Sequence, residues 1–473
     1  MQDLLSKKIS SDLFLGLYQE KAATMHRGDQ PWLMAIRESA IRSFGEKRLP
    51  TAKLETWKNT DLKESLGKEY DLILSPEKDV DAQKVFHCNI PHLETAIMGQ
   101  LNGWFVSKDV PLMELGNGII MGSLAEAIRK YPSLVEAHLG KYAVQEDRTG
   151  SGAMTELNTA FFRDGVFIYV PDGVKSPKPV QIINVIHHER NVFLQSRNLI
   201  VLGRNSRISL VHCDDSYNHQ PSFSNIVTEI LLGEGAFMDH YKLQNLNNNS
   251  TLVSSVFFHM NASSKLESHY ISLNGGLIRN NIRLKFSGPG CDANIYGLYL
   301  MDRKQHIDNQ VFVEHAFSDC TSRELFKGIL DEHASGVFNG HVLVSRNAPR
   351  TNAYQSNRNI LLTETAKVNS KPFLEIYNDD VKCSHGSTTG QLDRDAMFYL
   401  RQRGIGEESA RMLLMYAYAD EVISRIAIDP LRYRIEDMVK KRLQGELQIC
   451  ENCVLHCSSP EHPVEFKIDL SKI

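Results

Sequence analysis

Cys383 and His385 stand two residues apart in the polar segment YNDDVKCSHGSTTGQ, residues 377–391. Thiolate and imidazole both bind borderline or soft metals such as iron and zinc. On a strand, residues i and i+2 leave the same face with Cα atoms about 7 Å apart, so the pair could converge on one ion or offer adjacent contacts. A tetrahedral shell needs four ligands, and the remainder would come from another strand, another chain or a transient cluster. The bland alternative is a reduced thiol beside a surface histidine.

A second group lies at the C-terminus, where Cys450, Cys453 and Cys457 occur in CENCVLHC and His462 follows five residues later. These are enough ligands for a zinc or iron site, although the usual second C-x-x-C knuckle is missing. A flexible thiol-bearing tail is the equal alternative. Cys88, Cys213, Cys291 and Cys320 are isolated in mixed or apolar surroundings and read as small buried hydrophobes. The histidines at 187, 188, 212, 240, 259, 269 and 306 mostly sit beside strand residues and read as structural or surface groups.

Helical and β-rich stretches must position these residues. Leu13, Leu17 and Tyr18, then Trp32, Ile36, Ile41 and Phe44, are spaced for buried helix faces, with Gly45 as the expected stop. Residues 66–150 are mixed and include a helical stretch interrupted by Pro132, so residues 1–150 are expected to form a mostly helical region. Between about 155 and 390 helical periodicity gives way to short β-branched runs separated by turns. Turn residues Gly203, Gly233, Ala262, Gly288 and Ser318 recur every 26 to 30 residues or so. A parallel β-solenoid satisfies that period, and a β-sandwich is the alternative; few Asn-Gly or Asp-Gly hairpin turns favour the solenoid. After Gln391 helices return. Asp393 is placed to cap one that ends at Gly404, an apolar second helix follows, and Asp429-Pro430 opens a third with Leu431, Ile435, Met438, Val439 and Leu443 on one stripe. The second helix is apolar around much of its circumference, as if packed on both sides.

Several functions are disfavoured. The chain of 473 residues is 42% hydrophobic and 23% charged with a net charge of −4, which gives no electrostatic reason to expect nucleic acid. No run of 18 apolar residues suggests a membrane span, and MQDLLSKKISSDLFLGLYQEK has no signal-peptide core, so a cytoplasmic protein with reduced thiols is expected. Phosphate-loop, dinucleotide-fold, nucleophile-elbow and H-E-x-x-H patterns are all missing, so no ATP site is expected in this chain. A solenoid polysaccharide lyase would call for an export signal, and a self-contained zinc protein would rest on the tail.

The run beginning at Lys371, KPFLEIYNDDVKCSHGSTTGQLDRDAMFYLRQRGIGEESARMLLMYAYADEVI, resembles the C-terminal signature of the SufD branch of the SufB/SufD family, subunits of the bacterial and plastid iron-sulfur cluster assembly scaffold. LNTAFFRDGVFIYVPDGVKSPKPVQI at 157–182 is similar to the start of the shared core; QSNRNILL at 355–362 and Glu55, Trp57, Thr60, Asp61 and Leu62 in LETWKNTDL also resemble SufD. The likeness covers about residues 50–430. DDVKCSHG is of the SufD type, and a SufB-like sulfur-accepting subunit is the alternative. The tail departs from the family pattern, so no family role carries onto Cys450, Cys453 or Cys457.

The resemblance implies a mainly β protein with a right-handed parallel β-helix at 151–390, an N-terminal mostly helical region at 1–150 and a C-terminal helical domain at 391–445; the Cys/His tail at 446–473 stands outside it. It implies a non-catalytic scaffold that pairs with SufB through the β-helix and binds the SufC ATPase through its C-terminal helices, where Phe398, Leu414 and Tyr418 are the expected contacts. A transient iron-sulfur cluster or iron would be shared with SufB, with His385 as ligand and Cys383 as accessory; no permanently bound cofactor is expected. A homodimer in the absence of SufB stays open.

Overall fold

From residue 166 to 390 the backbone is laid down as strands of about ten residues that alternate between two sheets. The computed structural model describes residues 7–76, 90, 92–107, 110–143 and 148–444. Each strand pairs in parallel with the strand two further along the chain, making a β-solenoid of about seven turns. Register partners are 26 residues apart for Thr251 and Leu277 and 32 apart for Ser335 and Lys367, close to the spacing read from the turns. The sandwich alternative is thereby removed.

The expected turn residues do stack at one corner. Gly233 N–H donates to Leu202 O at 2.8 Å, Asn261 N–H to Leu232 O at 3.0 Å and Ser287 N–H to Met260 O at 2.7 Å. A Cβ on Gly288 would lie 2.4 Å from the Ala262 nitrogen, which explains glycine there. Beside this corner a left-handed residue recurs in each coil: Asn205, Gly235, Ser263, Gly290, Asp319 and Arg350 all have positive φ. Between corners, alternate side chains point inward; Ile208, Met238, Leu266 and Ala293 are successive register partners buried in one continuous core.

The N-terminal region is less helical than expected. Helices α1 (Ser11–Met25) and α2 (Pro31–Lys47) form as the spacing predicts, with the Ser10 hydroxyl capping α1, but α2 continues through Gly45. Strands Ala96–Leu101 and Ile120–Ser123 then join the two sheets, and antiparallel neighbours Trp104–Val106 and Leu112–Glu114 finish them. Pro132 opens its own short helix, Pro132–Glu136, directly after Leu124–Lys130. Buried Arg37 in α2 donates to the carbonyls of Thr159, Ala160 and Phe162 at the end of α3 (Gly152–Phe161).

Residues that had served only as family marks clip this region to the solenoid. The Arg279 guanidinium stacks 3.7 Å over the Trp57 ring, donates to Thr149 O at 2.7 Å and pairs with Asp308. Trp57 Nε1 donates to Gly150 O at 2.7 Å, and Thr60 Oγ1 donates to Asp308 at 2.5 Å. Trp57, Arg279 and Asp308 are all buried.

At the other end, α4 (Arg394–Gln402), α5 (Glu407–Ile423) and α6 (Asp429–Leu443) follow the last strand. Asp393 caps α4 as expected, and Leu431, Ile435, Met438 and Val439 are buried. Met415, Ala419, Val422 and Ile423 of α5 pack with them on Val211, Tyr241, Ile271 and Leu298 of the outer sheet face. Much of the apolar excess of α5 is therefore used within the chain. Among the described residues no helix is long and apolar enough to cross a membrane.

Arg279→Met should cost about 3–5 kcal/mol, because Asp308 would stay buried without its cation. A lowered denaturant midpoint with normal expression is the expected result, read by circular dichroism.

Candidate functional site

The two sheets end differently. Among the described residues, the last strands Lys367–Ile376 and Val381–Gly390 each have a neighbour on one side only, so their outer edges leave backbone groups unpaired. Inward-facing side chains of the last coil have no coil above them. Val368, Leu374, Val381 and Cys383 are consequently only partly buried against the core they continue.

Cys383 and His385 lie on this final strand, in register with Ala353 and Gln355 of the coil before. Alternation puts both on the inward side, and the open end exposes His385 while Cys383 stays half-buried. Burial raises the Cys383 thiol above its ordinary value, partly offset by a hydrogen bond from the Ala353 backbone. Beneath His385 runs a polar column: Gln355 Nε2 donates to the Glu324 carboxyl at 2.8 Å, and burial pushes that carboxyl up to about 7. Across the open end, Ser387 and Ser370 hydroxyls meet at 2.8 Å, and Ser370 donates to Asn357 Oδ1. Gln355 served only as part of a family mark and Glu324 was not singled out; counting back one or two solenoid periods from His385 places both beneath it.

The strand therefore presents an exposed imidazole next to a protonated, half-sheltered thiol. Among the described residues no three His, Cys, Asp or Glu side chains gather tightly enough to hold an ion. Cys450, Cys453, Cys457 and His462 lie outside the described residues, as does Cys88. Cys213, Cys291 and Cys320 are buried, as their surroundings predict. His212 is also interior, in contact with Lys242, which is paired with Asp214 at 2.6 Å.

The expected partner contacts divide. Phe398 is 63% exposed, beside exposed Tyr399, on α4, a helix with no buried residue. Leu414 is half-buried. Tyr418 instead packs on the solenoid, with the Lys327 ammonium 4.0 Å from its ring centroid and bonded to its carbonyl at 2.8 Å, so in this chain it serves the helix-to-sheet contact.

Fold and edge together define a helix-flanked parallel β-solenoid with a thiol and an imidazole side by side on an open terminal coil. Residues 8–182 match the SufBD protein N-terminal region and residues 185–418 match the SufBD core domain of the SUF system for FeS cluster assembly; the chain belongs to the SufBD family. It is 28% identical over 453 residues to an iron-sulfur cluster assembly SufBD family protein of Synechocystis, covering 93% of this chain and 98% of that one. Iron-sulfur cluster assembly protein SufD of Escherichia coli is 27% identical over 395 residues, covering 78% of this chain and 93% of its own length. SufD of Bacillus subtilis is 26% identical over 332 residues, with 69% and 74% covered.

The raised Cys383 thiol sets a chemical expectation. Its alkylation by iodoacetamide, followed by mass spectrometry of the peptide carrying it, should show a pH midpoint above the ordinary thiol value of about 8.5. A midpoint below that value would mean that a cation or donor activates the thiol.

Proposed function

We propose that this chain is the SufD-type subunit of an iron-sulfur cluster assembly scaffold, pairing with SufB across the open terminal coil. The observation that carries the reading is the exposed His385 on a strand with one open edge, with Cys383 beside it and partly covered apolar core residues next to both. A partner covering that end would satisfy the edge and bring the missing ligands. The nascent cluster is cargo at this interface: imidazole contributes a neutral donor to iron, and Cys383 supports it as an accessory. A site divided between subunits can be opened by moving one against the other, which suits a scaffold that must release what it builds.

In the same reading SufB accepts the sulfur, and SufC, bound by the C-terminal helices, hydrolyses ATP. The exposed α4 face with Phe398 and Tyr399, and Leu414 on α5, supports a docking surface there. The subunit is non-catalytic and cytoplasmic, and without SufB two copies would meet through the same open end. The names of the Escherichia coli and Bacillus subtilis relatives support the assignment to the SufD branch.

His385→Ala should co-purify with SufB and SufC in normal amounts yet lose most of its cluster, measured anaerobically by absorbance and iron content; unchanged cluster content would sink the ligand assignment. Leu414→Glu should weaken SufC capture at least tenfold while the solenoid stays folded. Normal capture by that folded variant removes Leu414 from the interface.

A further inference from the structure

Cys291 and Cys320 are far apart in sequence and stand one above the other in the solenoid. Asp292 and Thr321 are register partners, and Thr321 N–H donates to Cys291 O at 2.8 Å, so each cysteine occupies the same corner of successive coils. Stacked parallel strands hold such positions about 4.8 Å apart, inside the Cα separation that a disulfide requires. The side chains also converge: Cys291 Sγ lies 3.3 Å and Cys320 Sγ 3.4 Å from a single acceptor, Gly288 O. Cys291 Sγ additionally contacts Asn261 O at 3.1 Å and Ser264 Oγ at 3.7 Å.

Packing accounts for a small residue at this corner, since Ser206, Ala236 and Ser264 fill it in earlier coils. Packing does not require two thiols in adjacent coils that share one acceptor. Their shared acceptor has a chemical consequence: the two thiols are coupled, and hydrogen bonding from Cys320 lowers the Cys291 thiol. With both sulfurs on one acceptor, one thiolate can attack oxidant and the other sulfur resolve it, with Cys291 as the attacking sulfur. Both are buried, 1% and 0% exposed, but the turn residues over them, Pro289, Gly290, Phe317 and Asp319, are exposed. Opening of that surface turn admits a small oxidant without unwinding the coils.

We infer that Cys291 and Cys320 form a peroxide-reactive thiol pair that closes to a disulfide across two coils of the solenoid. The Cys291 thiolate attacks one oxygen of hydrogen peroxide, the O–O bond breaks, and a sulfenic acid and hydroxide result. Cys320 sulfur then attacks Cys291 Sγ; the S–S bond forms, the sulfenic oxygen leaves as hydroxide, and the two thiol protons neutralise the two hydroxides. Two thiols and one peroxide thus give one disulfide and two waters, with two electrons passing from sulfur to peroxide. The pair sits at the corner that continues through Thr351 to Val381 of the open coil, so the staple stiffens the turns immediately behind the His385 edge. This inference goes beyond the scaffold role and is independent of it.

The test uses the full chain with Cys450, Cys453 and Cys457 replaced by serine, treated with equimolar hydrogen peroxide under native conditions and then unfolded and alkylated. The expected product carries two fewer alkyl groups than the untreated control, gives one cross-linked peptide joining Cys291 to Cys320, and regains both groups when dithiothreitol precedes alkylation. Cys291→Ser should abolish the cross-link and leave Cys320 free to alkylate, and Cys320→Ser should abolish the cross-link and leave an unresolved sulfenic acid at Cys291, captured by dimedone. Serine fits this corner at Ser264, and Cys291→Ala, matching Ala236, gives a second variant should the first misfold. Full alkylation of both cysteines after peroxide treatment, or sulfinic acid at Cys291 with Cys320 free, would overturn the proposal.

Discussion

Parallel coil-on-coil hydrogen bonding is the constraint from which the rest of this structure follows. Each coil offers its backbone donors and acceptors to the next, so a coil is complete only when another lies on it. At the N-terminal side the demand is met by short antiparallel strands, which end the two sheets. At the C-terminal side the chain leaves for α4 with both last strands still open-edged. The candidate ligands stand where the repeat is unfinished. That position makes His385 accessible although its alternation directs it inward.

The same stacking explains how a polar interior is tolerated. Register brings Asn280 and Asn309 to 2.9 Å, Ser272 and Gln244 to 2.7 Å, and Lys242 to both His212 and Asp214. A buried charge alone would be costly; ladders of partners one coil apart let hydrogen bonds offset desolvation. On the outside, Arg197 with Glu229 and Arg279 with Asp308 use pairs in neighbouring coils to anchor the segments packed on that sheet. Helices and solenoid are joined by buried ionic contacts as well as by apolar ones, so the clip has a defined geometry.

Much of the fold was legible in local pattern. Turn residues repeated at the coil length, Asp393 capped α4, and the stripe from Leu431 to Val439 is buried. The misreadings share a cause. Strands Ala96–Leu101 and Ile120–Ser123 are short and depend on neighbours brought from beyond residue 165, which no local window contains. The apolar surplus of α5 left open whether its second face meets this chain or another, because the sheet face that receives it is distributed over strands from Val211 to Ile329. Tyr418, expected at a partner contact, packs on that face through Lys327.

By itself the sequence determined the existence of the repeat, because corner geometry demands glycine or another small residue at each period, and it marked Cys383 and His385, because a thiol and an imidazole at strand spacing in a polar run are conspicuous to chemistry. Only the tertiary structure decided that this strand is the last of its sheet, that Gln355 and Glu324 lie under His385, and that Trp57 stacks on Arg279. Those relations depend on which coil lies against which, and they are set by register across tens to hundreds of residues. Cys291 and Cys320 show the limit most clearly: each looks solitary in the chain, and parallel stacking makes them neighbours.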